Sequence, residues 1–297
     1  MSLTRTQFEI LSFLEAQKKD NLTKKDIACF TNHSISTVNK TLAFLNRNGL
    51  VHQNTPSDAG IKTLEPYRVR RAVFLAAGFG SRLVPITFTS PKALVKVNGV
   101  RIIDTLLDAV YAAGIDEIII VRGYLGEQFE QLIHKYPKVQ FLENPIYNES
   151  NNISSAMCVK HLLKNSYVLE SDLLLRNPGL ISKYQYTSNY LGVPVAFTDD
   201  WCFETRNRII THLRVGGKNC HQMFGISYWN ETDGAKLTRH IEQVFQMPGG
   251  KERYWDQVPL EYFIKDYAVE VRECSFDDIV EIDTLKELIS LDDNYRV

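Results

Sequence analysis

The sequence is poor in cysteine, lacks long apolar runs and carries no nucleophilic triad, and each shortage removes a class of protein. The five cysteines, Cys29, Cys158, Cys202, Cys220 and Cys274, are scattered through 297 residues with no CxxC pair. Neither a zinc-binding spacing nor a disulfide framework is therefore suggested, and free thiols fit a reducing, cytoplasmic setting. The longest apolar stretches, such as Ile118-Ile119-Ile120-Val121, are too short to span a bilayer, and the first residues carry no secretory-type run. No Ser-His-Asp or Cys-His constellation stands out, and the seven histidines read as ordinary surface or core residues. Internal repeats and low-complexity tracts are missing too. What is there is a chain 44% apolar, sufficient for two domains or one large α/β domain.

Charge divides this chain. Residues 1–70 carry a net +4 and the remainder −5, for a total of −1, which points to two units with different jobs. In the first, assigned residues 1–68, three helices are predicted. Phe8, Ile10, Leu11, Phe13 and Leu14 make one apolar face. Thr23, with Asp26 three residues on, opens a short helix from Lys24 to Phe30. After the polar turn Thr31-Asn32-His33, Ser34 or Ser36 starts a third helix, which Asn48-Gly49 stops. This is a helix-turn-helix pattern. Leu50-Val51-His52 and Lys62-Thr63-Leu64 are expected to form a two-stranded wing, with Pro66-Tyr67-Arg68 as linker. The stretch resembles the winged-helix domains of bacterial regulators, in which the third helix would present Ser36, Thr37, Asn39, Lys40 and Arg47 to DNA. Winged helices also serve as dimerisation or docking modules, so a homodimer stands beside DNA as a partner reading.

From residue 69 to 297 the texture is strand–helix–strand. Strands are predicted at 71–75, 117–121, 139–142 and 167–169, and helices at 102–113, 125–136 and 153–163. This alternation implies an α/β fold of the Rossmann type, with a mainly parallel sheet covered on both faces and ligands at the carboxyl ends of its strands.

The first of these strands runs into Leu75-Ala76-Ala77-Gly78-Phe79-Gly80-Ser81-Arg82-Leu83, followed by Pro91-Lys92-Ala93-Leu94. Small residues at a strand end let backbone N–H groups approach a polyphosphate, and Arg82 and Lys92 add fixed positive charge. No Gly-Lys-Ser/Thr follows, and Leu83 stands where a dinucleotide fingerprint needs its third glycine. The whole string resembles the signature of the nucleotidyltransferase superfamily, which includes the sugar-1-phosphate nucleotidyltransferases. The resemblance covers about residues 70–290. It implies that Leu75, Ala76, Ala77, Gly78, Gly80 and Ser81 wrap the triphosphate of a nucleotide while Arg82 and Lys92 bind its phosphate oxygens.

Later segments are similar to bacterial CTP:phosphocholine cytidylyltransferases: Val121-Arg122-Gly123-Tyr124-Leu125, Tyr147 to Asn152, Ser227-Tyr228-Trp229-Asn230, Tyr254-Trp255-Asp256 and Glu281-Ile282-Asp283. That likeness implies CTP and phosphocholine as substrates, pyrophosphate as product, and Gly123, Tyr124 and Asn152 near the nucleotide. Glu170-Ser171-Asp172 stands where relatives often carry Asp-x-Asp. A divalent ion must screen the meeting anions, and Asp172 and Asp283, each just past a short β-type run, are the expected Mg²⁺ ligands. Either is also a plausible helix start. A quaternary ammonium head group offers no N–H, so aromatic faces and a carboxylate must hold it. Trp229, Tyr254 and Asp256 are expected there, with Trp201 a weaker candidate and Trp255 packing. Two alternatives stay open: a sugar-1-phosphate nucleotidyltransferase, and a transcriptional regulator whose second unit senses a nucleotide or phosphocholine.

Overall fold

A computed structural model describes residues 2–17 and 22–296. The chain divides into two compact units: residues 1–68 together with Tyr184–Tyr186, and residues 69–183 together with 187–297. No helix among the described residues is long and apolar enough to cross a membrane.

In the first unit, helices α1 (Arg5–Ala16), α2 (Lys24–Phe30) and α3 (Ile35–Arg47) start at caps supplied by their own sequence. The Thr4 and Thr23 hydroxyls accept from Gln7 and Asp26 backbone N–H groups, and both close capping boxes; Ser34 accepts from Thr37. α3 ends at Asn48, with Gly49 at a left-handed φ of +69°. Strands β1 (Val51–His52) and β2 (Thr55–Pro56) follow, then α4 (Asp58–Leu64). The expected wing strand at 62–64 is thus overturned. Gln53 and Asn54 both take positive φ, which closes a two-residue hairpin and sends the chain back at Thr55. Ser57 then caps a helix through the Gly60 N–H, and Lys62-Thr63-Leu64 fall inside it. The expected linker is a 3₁₀ turn, Glu65–Tyr67, whose Tyr67 ring packs 5.0 Å from Phe8 and 5.6 Å from Tyr186. Ile10, Leu11, Ile27, Val38, Leu45 and Tyr184 are among the residues of its core.

The second unit holds β3 (Arg71–Ala76), β4 (Lys96–Val97), β5 (Val100–Arg101), α5 (Ile102–Ala112), β6 (Glu117–Arg122), β7 (Val139–Glu143), α6 (Ile153–Val159), β8 (Ser166–Glu170), β9 (Leu173–Leu175), β10 (Asn189–Arg206), β11 (Ile209–Trp229), α7 (Glu231–Gln246), β12 (Glu270–Glu273), β13 (Ile279–Glu281) and α8 (Leu285–Leu291). Its main sheet has the order β10-β12-β11-β8-β3-β6-β7. β8, β3, β6 and β7 are parallel, and β11 joins β8 antiparallel. Alternation sorts the strands between two cores. Ala72, Phe74, Ile118, Ile120 and Leu169 pack on one side, and Val73, Leu75, Ile119, Val121 and Val168 on the other. A parallel sheet covered on both faces needs such continuous apolar runs.

Two expected elements differ. Residues 126–134 form 3₁₀ turns after Leu125, which takes φ +48°. Phe129 and Leu132 are buried three apart, a spacing that 3₁₀ turns satisfy as well as an α-helix does. The helix beginning at Ile153 turns 3₁₀ after Val159. The long β10–β11 hairpin, with its register shifts, had no counterpart in the sequence reading.

Candidate active site

The carboxyl ends of β3 and β8 open into a cavity of about 950 Å³, of a size suited to small-molecule ligands. One wall is the glycine loop. Leu75, Ala76, Ala77, Gly78, Gly80 and Ser81 all line it. Gly80 takes φ +62°, and a Cβ there would stand 2.9 Å from Lys92 Cβ, so both conformation and space demand glycine. At Gly78 a Cβ would meet nothing within 4 Å; the protein's own packing does not require glycine there, and its absence of side chain leaves the backbone open to the cavity. Gly123 and Tyr124, expected near the nucleotide, are not among the residues that line the cavity. They brace the loop from behind: Tyr124 N–H donates to the Ala77 carbonyl (3.1 Å), its hydroxyl to the Thr87 carbonyl (3.0 Å), and a Cβ at Gly123 would strike the Tyr147 ring at 2.6 Å. The Tyr147 ring takes the space that a side chain at 123 would need.

Lys92 sits in a 3₁₀ turn behind this loop, and its Nζ donates to Asp172 Oδ2 (2.7 Å) and Asp283 Oδ1 (2.8 Å). Arg82 Nη2 donates to the same Asp283 oxygen (2.7 Å). Burial opposes the lysine charge, but the two carboxylates more than offset that and raise the ammonium above its ordinary value. β9 and β13 explain the convergence. Their antiparallel pairing sets Glu281 opposite Leu173, and the Ile282 N–H donates to the Asp172 carbonyl (3.1 Å). Leu173–Leu175 is a strand rather than a helix, and α8 is capped by Thr284, so neither aspartate serves as the N-cap of a helix.

The acidic floor is larger than the two aspartates. One carboxylate oxygen from each of Glu170, Asp172 and Glu281 lies within 4.8 Å of the others, close enough to hold one metal ion. Asp172 Oδ1 is buried and has no hydrogen-bond partner among the described residues. Asp283, expected as the second ligand, has its Oδ1 engaged by Arg82 and Lys92 instead. Burial, then the charges of Asp172, Asp256 and Glu281, push the Glu170 carboxyl well above the usual range; burial and Asp172 do the same to Glu281. A divalent cation would relieve the mutual repulsion of carboxylates clustered in this way. Glu170 and Glu281 were given no role from sequence alone, although each ends a strand two residues before an aspartate expected at the metal.

Asp200, Trp201, Tyr254 and Asp256 also line the cavity. Trp201 and Tyr254 meet edge to face, centroids 5.6 Å apart. Burial raises the Asp256 carboxyl to about 6, and its Oδ1 has no partner among the described residues. Asn152, also lining the cavity, accepts from the Trp255 backbone N–H (2.8 Å) and donates to Glu170 Oε1 (3.4 Å), tying Glu170 to the Tyr254–Asp256 segment. Trp229 is not at the site. It is fully buried between Trp255 and Tyr267, its indole N–H donating to Ser227 Oγ (2.9 Å), so the expectation of a head-group contact there is corrected. The side chain at the end of β11 points into the helix-covered core, and Trp255 packs with it.

The nucleotidyl transferase family model matches residues 71–187. The chain is 32% identical to the 2-aminoethylphosphonate cytidylyltransferase of Lancefieldella rimae over 75% of this chain and 92% of that one. It is likewise 32% identical to the choline-phosphate cytidylyltransferase of Streptococcus pneumoniae, over 75% and 97%. The solved CTP:phosphocholine cytidylyltransferase of Streptococcus pneumoniae superposes with a TM-score of 0.71 at 31% identity, covering 77% of this chain and all of that one. Sequence identity at this level over nearly the whole of each relative, on the same sheet, makes this chain an enzyme of the nucleotidyl transferase family.

Proposed function

We propose that the enzyme transfers the cytidylyl group of CTP to a small phosphate ester with a cationic head, phosphocholine foremost, and releases pyrophosphate. The observation that carries this reading is the make-up of the cavity's lining. Arg82, Lys92 and the bare glycine loop share one cavity with Asp200, Trp201, Tyr254 and Asp256. A zwitterion with an anionic phosphate and a quaternary ammonium finds a partner for each charge there; aromatic faces and carboxylates attract the cation without needing a hydrogen bond. A neutral sugar could donate hydroxyl hydrogen bonds to these carboxylates but would not offset their charge.

The acceptor's phosphate oxygen attacks the α-phosphorus. The new O–P bond forms as the bond from that phosphorus to the β-phosphate's bridging oxygen breaks, and pyrophosphate departs with the electron pair. A phosphomonoester is largely dianionic at neutral pH, with a second pKa of about 6, so no strong base is needed. Arg82 and Lys92 hold phosphate oxygens in line, and the loop N–H groups fix the triphosphate. Asp172, with Glu170 and Glu281, would hold Mg²⁺, which supplies charge neutralisation at the triphosphate. The unpartnered Asp172 oxygen fits that role. The test is pyrophosphate release from four nucleoside triphosphates against phosphocholine, phosphoethanolamine, 2-aminoethylphosphonate and several sugar 1-phosphates. CTP with a cationic acceptor is expected to lead. Preference for a sugar 1-phosphate overturns the acceptor reading, and no turnover with any pair favours a sensor.

For the first unit, we propose duplex DNA as partner. On α3, Ser36, Asn39, Lys40, Ala43 and Arg47 are exposed on one face, opposite buried Val38, Leu42 and Leu45, and the helix has no acidic residue. Among the described residues Lys24, Lys25, Lys40 and Arg47 form no ion pair, whereas Arg68 is bound to Glu65. Lys40 and Arg47, seven residues apart on the exposed face of α3, are unengaged cations that suit phosphates. Binding of a duplex of about 30 base pairs by the full chain should fall steeply with salt and drop at least about tenfold in Lys40→Glu/Arg47→Glu. No binding at low salt, or a flat salt response, moves the reading to a protein-docking or dimerisation role.

A further inference from the structure

Gly225 of β11 immediately precedes Ile226, which pairs with Leu169 of β8, so Gly225 stands across from Glu170 at the rim where both line the cavity. A Cβ on Gly225 would lie 2.2 Å from Glu170 Oε2 and 2.6 Å from both its Cδ and its Cγ. The glutamate therefore folds over the bare Cα of its cross-strand neighbour. Because Cγ is part of the clash, rotating the carboxylate does not relieve it; χ1 would have to change, and the carboxylate would leave its place. That place is beside Asp172 and Glu281, with Asn152 Nδ2 donating to Oε1. Gly225 does not have the left-handed φ that would by itself call for glycine, so the demand is one of space.

We infer that Gly225 is a positioning residue for nucleotidyl transfer: it reserves the volume that lets residue 170 be a glutamate and still bring its carboxylate to the divalent-cation site. The inference rests on the metal reading above and goes beyond it by making residues 170 and 225 one coupled unit. A shorter aspartate at 170, reaching the ion through a different rotamer, would not use the space over residue 225.

The experiment is a double-mutant cycle on the full chain, read by Mn²⁺ binding in electron paramagnetic resonance, with circular dichroism to confirm folding. In the Glu170 chain, Gly225→Ala should weaken Mn²⁺ binding roughly tenfold to a hundredfold, the scale of a lost supporting contact at a metal site. In the Glu170→Asp chain the same substitution should have no more than about a threefold effect. Equal effects in both chains, or none in either, overturn the inference. Failure of the unaltered protein to bind Mn²⁺ overturns the metal reading instead. A crystal structure of Gly225→Ala decides independently of any metal: the Glu170 carboxylate should be displaced, and finding it in its original place refutes the coupling.

Discussion

The Lys92 ammonium and the Asp283 carboxylate meet at 2.8 Å across 191 positions of sequence, and the same lysine reaches Asp172 at 2.7 Å. One cation thus ties the glycine-loop segment to the ends of two acidic strands before any substrate arrives. Lys92 is largely buried there, its side chain 13% exposed, while Arg82, on the same Asp283 oxygen, is 66% exposed.

That difference separates two variants. Lys92→Ala leaves buried carboxylates facing each other, and removing one partner of a buried pair costs on the order of 3 kcal/mol. It should lower both the melting temperature and kcat/KM for CTP. Arg82→Ala gives up only an exposed pair, worth well under about 1 kcal/mol, so stability should hardly move while kcat/KM for CTP falls comparably. Asp172→Asn should weaken Mn²⁺ binding more than Asp283→Asn does, because Asp172 belongs to the Glu170–Glu281 cluster and keeps an oxygen without a hydrogen-bond partner among the described residues. Calorimetry, kinetics and Mn²⁺ titration on the four variants check this; unchanged CTP kinetics in both cation variants would remove the loop from phosphate binding.

Asp256 gives a pH dependence with a definite sign. Its carboxyl titrates at about 6 in the fold against an ordinary 3.8. A value raised on folding means the neutral acid is favoured, so the stabilising contribution is complete below about 3.8 and is lost as pH rises through about 6. Asp256→Asn should therefore melt a few degrees higher than the natural chain at pH 8 and show no gain at pH 4. The same substitution should raise KM for phosphocholine more than KM for CTP. A neutral analogue with a tert-butyl head should be a poorer acceptor than phosphocholine for the natural chain, and that preference should shrink in the variant, where Trp201 and Tyr254 still attract the cation.

The two tryptophans should part company. Trp201 lines the cavity and Trp229 is sealed in the core. Trp201→Ala should raise KM for phosphocholine roughly fivefold to thirtyfold, the worth of a desolvated cation–π contact, and leave the melting temperature nearly unchanged. Trp229→Ala should cost about 3–5 kcal/mol of stability whatever it does to catalysis. Thermal melts beside acceptor kinetics distinguish the two, and a stable Trp229→Ala with a specific phosphocholine defect would reverse the assignment.

A chain beginning at Val69 keeps every residue that lines the cavity. It also leaves Tyr184, 5% exposed in the core of the first unit, without that core. Such a chain should retain nucleotidyl transfer but aggregate, and Tyr184→Ser with Tyr186→Ser should restore solubility. Light scattering and pyrophosphate release measure the two outcomes; loss of activity in a soluble, folded truncation would show that the first unit is needed for catalysis.

The glycine loop, the Pro-Lys segment and the buried parallel strands were legible in the sequence because each is governed by neighbours: small residues after an apolar run, a cap before a helix, alternation along a strand. The wing was misread because turn geometry at Gln53-Asn54, which no residue type there demands, fixes where the chain returns. The β10–β11 hairpin escaped notice because its register shifts break the alternation that would announce it.

At the site, sequence by itself determined which charges are available: Arg82, Lys92, Asp172, Asp283 and the flanking glutamates. Only the tertiary structure decided which of them meet. Pairing of β9 with β13 set Asp283 on Lys92 and completed a carboxylate cluster with Glu281 instead. The same holds for the aromatics. Trp201 and Trp229 are chemically identical, and one lines the cavity while the other is sealed against Trp255 and Tyr267, a distinction made by packing between segments far apart in the chain and invisible to any local rule.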